Sequence, residues 1–250
     1  MATKTYSYLG KGMVYLRNRS SGGGLKQVGN CSALEFSVET DTLTQSDYTQ
    51  AGGGNANEIQ RVSSVGSSIT MLELRPDNVA MALRGTRSEV QSAPVTDERH
   101  TAYPGTLLAL SKTPDRTESI TVTIDPDGAG DVAIEDVDYE ITGAGVYVLE
   151  GGGITEGTDV AIDYTSAAAD VIEAMTGSGD EYELVFDGLN EAESGRAVTV
   201  TAHRVKFSPT TGLALIGDDF GELALDGSLL VDSSKVGAGV SRYFKVAMAR

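Results

Sequence analysis

The sequence has no tryptophan, one cysteine, two histidines and only 19 basic residues in 250. Each shortage removes a class of explanation. A single cysteine, Cys31, allows no disulfide within the chain, so burial has to hold the fold. Length permits that, since chains of this size bury roughly 70–75% of the surface that their unfolded form exposes. Cys31 also lacks a Cys or His neighbour at ligand spacing and reads as a small buried apolar group. With 36 acidic residues and a net charge of −17, the chain is not built to grip nucleic-acid phosphates. No apolar run approaches the roughly 18 residues of a membrane span, and Met1 to Arg17 has no signal-peptide core, so cytosolic synthesis is expected. His100 and His203, with no Gly-x-Ser-x-Gly, give little material for a Ser/His/Asp relay, and His203 is expected on a wet strand face. Without tryptophan, a sugar-binding cleft loses its usual stacking platform. No enzymatic activity and no cofactor are expected.

What the sequence does have is alternation. Leu34, Phe36 and Val38 alternate with Glu35, Ser37 and Glu39. Tyr182, Leu184 and Phe186 alternate with Glu181, Glu183 and Val185. The same period runs through Val198 to His203 and through Tyr243 to Met248, predicting half-buried strands with one wet face each. Thirty glycines supply the turns. One helix is predicted over Pro76–Gly85, from a proline near its start, Asp77 in the first turn, Arg84 in the last and Gly85 as terminator. A second is predicted over Ala167–Met175 from its alanines. The fold class is therefore mainly β, an antiparallel sandwich or barrel with one short flanking helix.

Acidity is segmental. From Asp115 to Glu193 there are 21 acidic residues and one basic residue, Arg116, while the remainder carries 15 acidic and 18 basic. Inside that stretch, residues 116–166 read as a small inserted β unit with strands around Ile120–Ile124, Tyr139–Ile141, Val146–Val148 and Val160–Tyr164. The core is then 1–115 plus 167–250. Thr40 to Asn57 is polar and without core periodicity, and contains Gly52, Gly53 and Gly54. It is either an idle surface loop or an interaction loop that orders on a partner.

Several motifs tempt and fail. Gly217-Asp218-Asp219 and Asp219-Phe220-Gly221 spell polymerase and kinase signatures but lack every companion motif, and read as an acidic turn before a strand. Asp125, Asp127 and Asp131 have part of a calcium-loop spacing around Gly130. Ala129 stands where a ligand is needed, and Asp136 is short for the twelfth position, so a solvated β-turn is the reading, with a metal only as the alternative.

Three segments together resemble the major tail tube proteins of tailed bacteriophages: Asp77–Gly85, Leu184–Asn190 with Ser194-Gly195, and Leu215–Leu223. Gly29-Asn30-Cys31-Ser32 before an acidic strand is similar to that family as well. The resemblance implies a β-sandwich or barrel in which six copies form a ring, and rings stack into a tube that passes genome DNA during ejection. It implies location in the virion tail after synthesis in the host cytoplasm, with tape measure, tail terminator and baseplate or tip proteins as partners, and no membrane. Double-stranded DNA would pass without specific binding. Within that picture, Glu35, Glu39, Glu181, Glu183 and Asp187 are the candidates for an acidic bore. Thr40, Asp47, Tyr48, Gly52, Gly53, Gly54, Asn55 and Asn57 are the candidates for contacts between rings, and 116–166 is expected on the outer wall. The competing expectation, a secreted or surface β-sandwich binding module stabilised by calcium, rests on the acidic stretch and the Asp125 loop.

Overall fold

The computed structural model describes residues 6–49 and 51–249. It is mainly β, with antiparallel sheets, one short α-helix and no closed barrel. The chain divides into two units, Met1–Arg87 with Ile172–Arg250, and Ser88–Val171.

The first unit begins with β1 (Gly10–Asn18), β2 (Lys26–Gln27), β3 (Cys31–Ser46), β4 (Asn55–Met71) and α1 (Pro76–Ala82). The chain leaves it along β5 (Thr86–Val90). The second unit holds β6 (Ala93–Ala102), β7 (Leu107–Ala109), β8 (Thr121–Ile124), β9 (Asp131–Val132), β10 (Tyr139–Ile141), β11 (Gly145–Val148) and β12 (Thr158–Ser166). Return is along β13 (Ala169–Glu173), which pairs with β5 as a two-stranded ribbon. The first unit is then completed by β14 (Glu181–Asn190), β15 (Arg196–Phe207), β16 (Leu223–Leu229) and β17 (Phe244–Met248).

One sheet organises the first unit, in the order β2-β1-β14-β15-β16-β4-β3, with β17 also paired to β15. The alternation read in the sequence selects its inner face. Val14, Leu16, Leu184, Ala202, Val205, Leu225 and Ile69 are all buried on it and form one core, which Ala82 of α1 joins. Gly227 is required there because a Cβ at that position would lie 2.9 Å from the ring of Phe207. Pro76 opens α1 as predicted, but the helix stops at Ala82. Arg84 rather than Gly85 takes the left-handed conformation (φ 46°), and the Gly85 amide returns to the Ala80 carbonyl at 2.7 Å.

The second unit has its own core. A sheet ordered β6-β12-β8-β9 and one ordered β10-β11-β7 bury Val122, Val160 and Ile162 with Tyr139, Val146 and Val148. This unit is wider than the 116–166 segment delimited from composition, because β6 pairs with β12 and β7 with β11. It carries 17 acidic and 3 basic residues, against 19 and 16 in the first unit, so it holds most of the net charge.

Three expectations are corrected. Ala167–Met175 contains the strand β13, not a helix, since pairing with β5 overrides the alanine propensity. Most of Thr40–Asn57 is not a loop: residues 40–46 and 55–57 belong to the paired strands β3 and β4, and of the described residues only 47–49 and 51–54 lie outside them. His203 is buried although it follows the core-facing Ala202, because the C-terminal segment meets it on that face: its amide donates to the Tyr243 carbonyl, and Asp232 and Lys235 are its charged neighbours.

Candidate functional site

The β3–β4 hairpin has a buried root and a bare arm. At the root Leu34 and Phe36 pack on the core beside Val65, Ile69 and Met71. Beyond Glu39 and Ser64 every described residue of both strands is exposed, although pairing continues from Thr40 opposite Val62 to Ser46 opposite Asn55. Seven residues of β3 at about 3.4 Å each carry this arm roughly 24 Å. A two-stranded ribbon without a packed face is marginal by itself. Leu43, 65% exposed, lies opposite Ile59, and both are uncovered, as is Tyr48 at the turn. The turn needs its glycines, since Gly52, Gly53 and Gly54 all have positive φ. It is closed by the Asp47 amide on the Gly54 carbonyl at 2.7 Å and by the Asp47 carboxylate, which accepts from the Thr49 amide and hydroxyl. Those Thr49 bonds hold the Asp47 carboxyl below its ordinary pKa. Asn55 and Asn57 start β4 opposite Ser46 and Gln45. The candidate stacking residues are thus gathered on one exposed arm, and among the described residues no strand pairs with the outer edge of β3.

The acidic candidates lie on the opposite side of the sheet from the core. Glu181 pairs with Lys206, Lys206 with Ser228, Ser228 with Gly66 and Gly66 with Ser37. One step along, Asp226 pairs with Ser68 and Ser68 with Glu35. Directly opposed residues of antiparallel strands share a face, so acids from the two ends of the sequence come together. Glu39 accepts from the Ser64 hydroxyl at 2.6 Å, and Asp187 sits between Met13 and Thr199.

The face is not uniformly acidic. Arg204 holds Glu181 through Nε and Nη2, at 2.6 and 2.7 Å, and this hydrogen bonding pulls the Glu181 pKa down. Arg17 pairs with Glu183. Uncompensated negative charge therefore concentrates on Glu35, Glu39, Asp187 and Asp226, all exposed. The sequence reading missed Arg17, Arg204 and Lys206 as partners, although the alternation of Arg204 and Lys206 on one strand was there to be read.

Elsewhere the candidates do not converge. The Asp125 carbonyl accepts from the Gly128 and Gly130 amides, and Asp127 is bound by Arg99 at 3.1 and 3.3 Å. Among the described residues no group of three or more His, Cys, Asp or Glu is placed to hold a metal. Glu98 in the second unit accepts from the Ser111 amide and hydroxyl, the Tyr164 hydroxyl and, at 3.1 Å, His100 Nε2. Glutamate, not histidine, is at the centre, which is not the order of a nucleophile, base and orienting acid. Cys31 is half-buried against the core, and burial followed by the Glu73 charge pushes its thiol up to about 11.

Residues 7–247 match a family described as "Protein of unknown function UCP028589", and the chain belongs to that family. No curated protein matches it.

Proposed function

We propose that this member of the family is a structural subunit that assembles into stacked rings forming a hollow tube, of the kind found in the tails of tailed bacteriophages. The observation that carries the reading is the β3–β4 arm: a long paired ribbon, bare on both faces and, among the described residues, open along both edges, since β16 pairs with β4 only from Gly66 to Met71. A monomer gains little from ordering it. A neighbouring copy supplies the missing packing, and exposed edges, normally a liability, become assembly surfaces. Lateral contacts that close a ring and axial contacts that stay open are both head-to-tail, so one chain can furnish them all.

In this reading the polar face carrying Glu35, Glu39 and Asp187 lines the bore, where carboxylates repel passing double-stranded DNA and keep it from sticking. The paired Glu181 and Glu183 hold the sheet together rather than add net charge. Tape measure, terminator and tip proteins are the partners that accompany such a tube.

Sedimentation velocity over a concentration series tests it. The wild type should pass from monomer to species of six copies and larger, and a single monomeric boundary at every concentration would count against the proposal.

A further inference from the structure

The segment 211–222 displays side chains that a solitary subunit would cover. Leu215 is 81%, Ile216 97% and Phe220 99% exposed. The display is held in place at both ends: Leu213 packs on the core, Leu223 is fully buried at the start of β16, and the Thr210 amide donates to the Ala82 carbonyl. Three acids, Asp218, Asp219 and Glu222, accompany the apolar tip.

The same unit contains the complementary shape. A groove of about 390 Å³ lies between the 21–24 turn, α1 and residues 177–180, and no residue of 211–222 lines it. Leu16, Met81, Tyr182 and Phe207 give it an apolar floor, and a volume of this order accepts a bulky apolar group. Its lining carries three basic residues, Lys26, Arg75 and Arg84, against two acids, whereas the charged residues of the tip are all acidic. Arg75 and Arg84 donate to the Gln27 and Phe207 carbonyls, and among the described residues neither is in an ion pair. Arg84 Nε is buried without an acceptor. The two acids that line the groove are Asp77, answered by Arg87 at 2.7 Å and Lys26 at 4.0 Å, and Asp180, which accepts from the Asn18 side-chain amide at 2.6 Å.

We infer that the Leu215–Phe220 tip of one copy docks in this groove on the next copy, with Phe220 and Ile216 on the apolar floor and Asp218 and Asp219 towards Arg75 and Arg84. A second copy is the occupant because each chain carries both halves, matched in polarity and opposite in charge. Tip and groove are different surfaces, so the contact is head-to-tail and propagates from copy to copy. The inference rests on the proposed tube assembly and names one of its contacts.

Disulfide trapping tests it. Ser21, exposed on the groove wall, and Phe220 are replaced as Ser21→Cys and Phe220→Cys, singly and together, in the full chain, with wild type as the control for Cys31. Under mild oxidation the mixed single variants should give a linked dimer, and the double variant a ladder of linked chains. Assembled protein without a cross-link, or a double variant with only an internal disulfide, overturns the docking while leaving the tube reading intact. If the wild type stays monomeric and the cysteine variants still cross-link, the docking stands and the tube falls; if the wild type stays monomeric and the variants do not cross-link, both fall. Independently, Phe220→Ser should raise the protein concentration needed for assembly at least tenfold. Unchanged assembly by that variant overturns the contact.

Discussion

Phe36 and Phe244 stack with ring centroids 5.1 Å apart and planes 14° from parallel. The contact joins the root of the β3–β4 hairpin to the last strand, so the arm is carried on a base that the C-terminal segment helps to fix. Phe244→Ala removes the stacking and part of the core contact, and should cost about 2–3 kcal/mol. A urea titration checks this: the midpoint falls while the slope is retained. An unmoved midpoint would mean that β17 does not support the hairpin.

The arm itself should be dispensable for folding. Replacing 41–61 by Asn-Gly closes the hairpin where Thr40 and Val62 still pair, and among the described residues it removes none that is buried. The variant should melt within a few degrees of wild type and fail to form large species in sedimentation. Normal assembly by the shortened protein would show that the arm makes no assembly contact.

Where one strand face is buried, the pattern was legible. Leu34 and Phe36, Leu184 and Phe186, and Val198 to Ala202 all alternate because the core tests every second position. The arm was illegible for the same reason: with neither face packed, Leu43 and Ile59 have no period to obey, and a paired ribbon reads as a loop. Ala167–Met175 misled because strand pairing decided its state and helix propensity did not. His203 misled because alternation gives a strand face but not what covers it, and here the segment around Asp232 and Tyr243 does. For the candidate site, residue types were readable, but nothing in one dimension places Glu35 and Glu181 on a common face. That placement comes from the strand order β14-β15-β16-β4-β3.

Acid should weaken the second unit through Glu98. Burial pushes its pKa up, but the bonds from Ser111, Tyr164 and His100 outweigh this, and the net shift is downward. A glutamate in the unfolded chain titrates near about 4.3. The contribution of Glu98 is therefore complete above that pH and is lost as pH falls through the lower folded value. Glu98→Gln, which cannot accept these donors as a carboxylate does, should lower stability at pH 7 and flatten the decline in acid. Thermal melts followed by circular dichroism from pH 7 to 2.5 would show it, and acid limbs of equal steepness would contradict it.

The bore assignment predicts a gain of DNA binding. Glu35→Lys, Glu39→Lys and Asp187→Lys together reverse three exposed charges without touching the Glu181–Arg204 or Glu183–Arg17 pairs. Assembled particles of the triple variant should retain double-stranded DNA at low salt and release it as salt rises, whereas wild-type particles retain none. If the variant assembles and still binds no DNA, these acids do not line the bore.

Electron microscopy of the concentrated protein in negative stain tests the central claim most directly. The account predicts tubes, or rings whose end-on views show six-fold symmetry around a stain-filled centre. A field of small separate particles at concentrations well above those of the sedimentation series would contradict it.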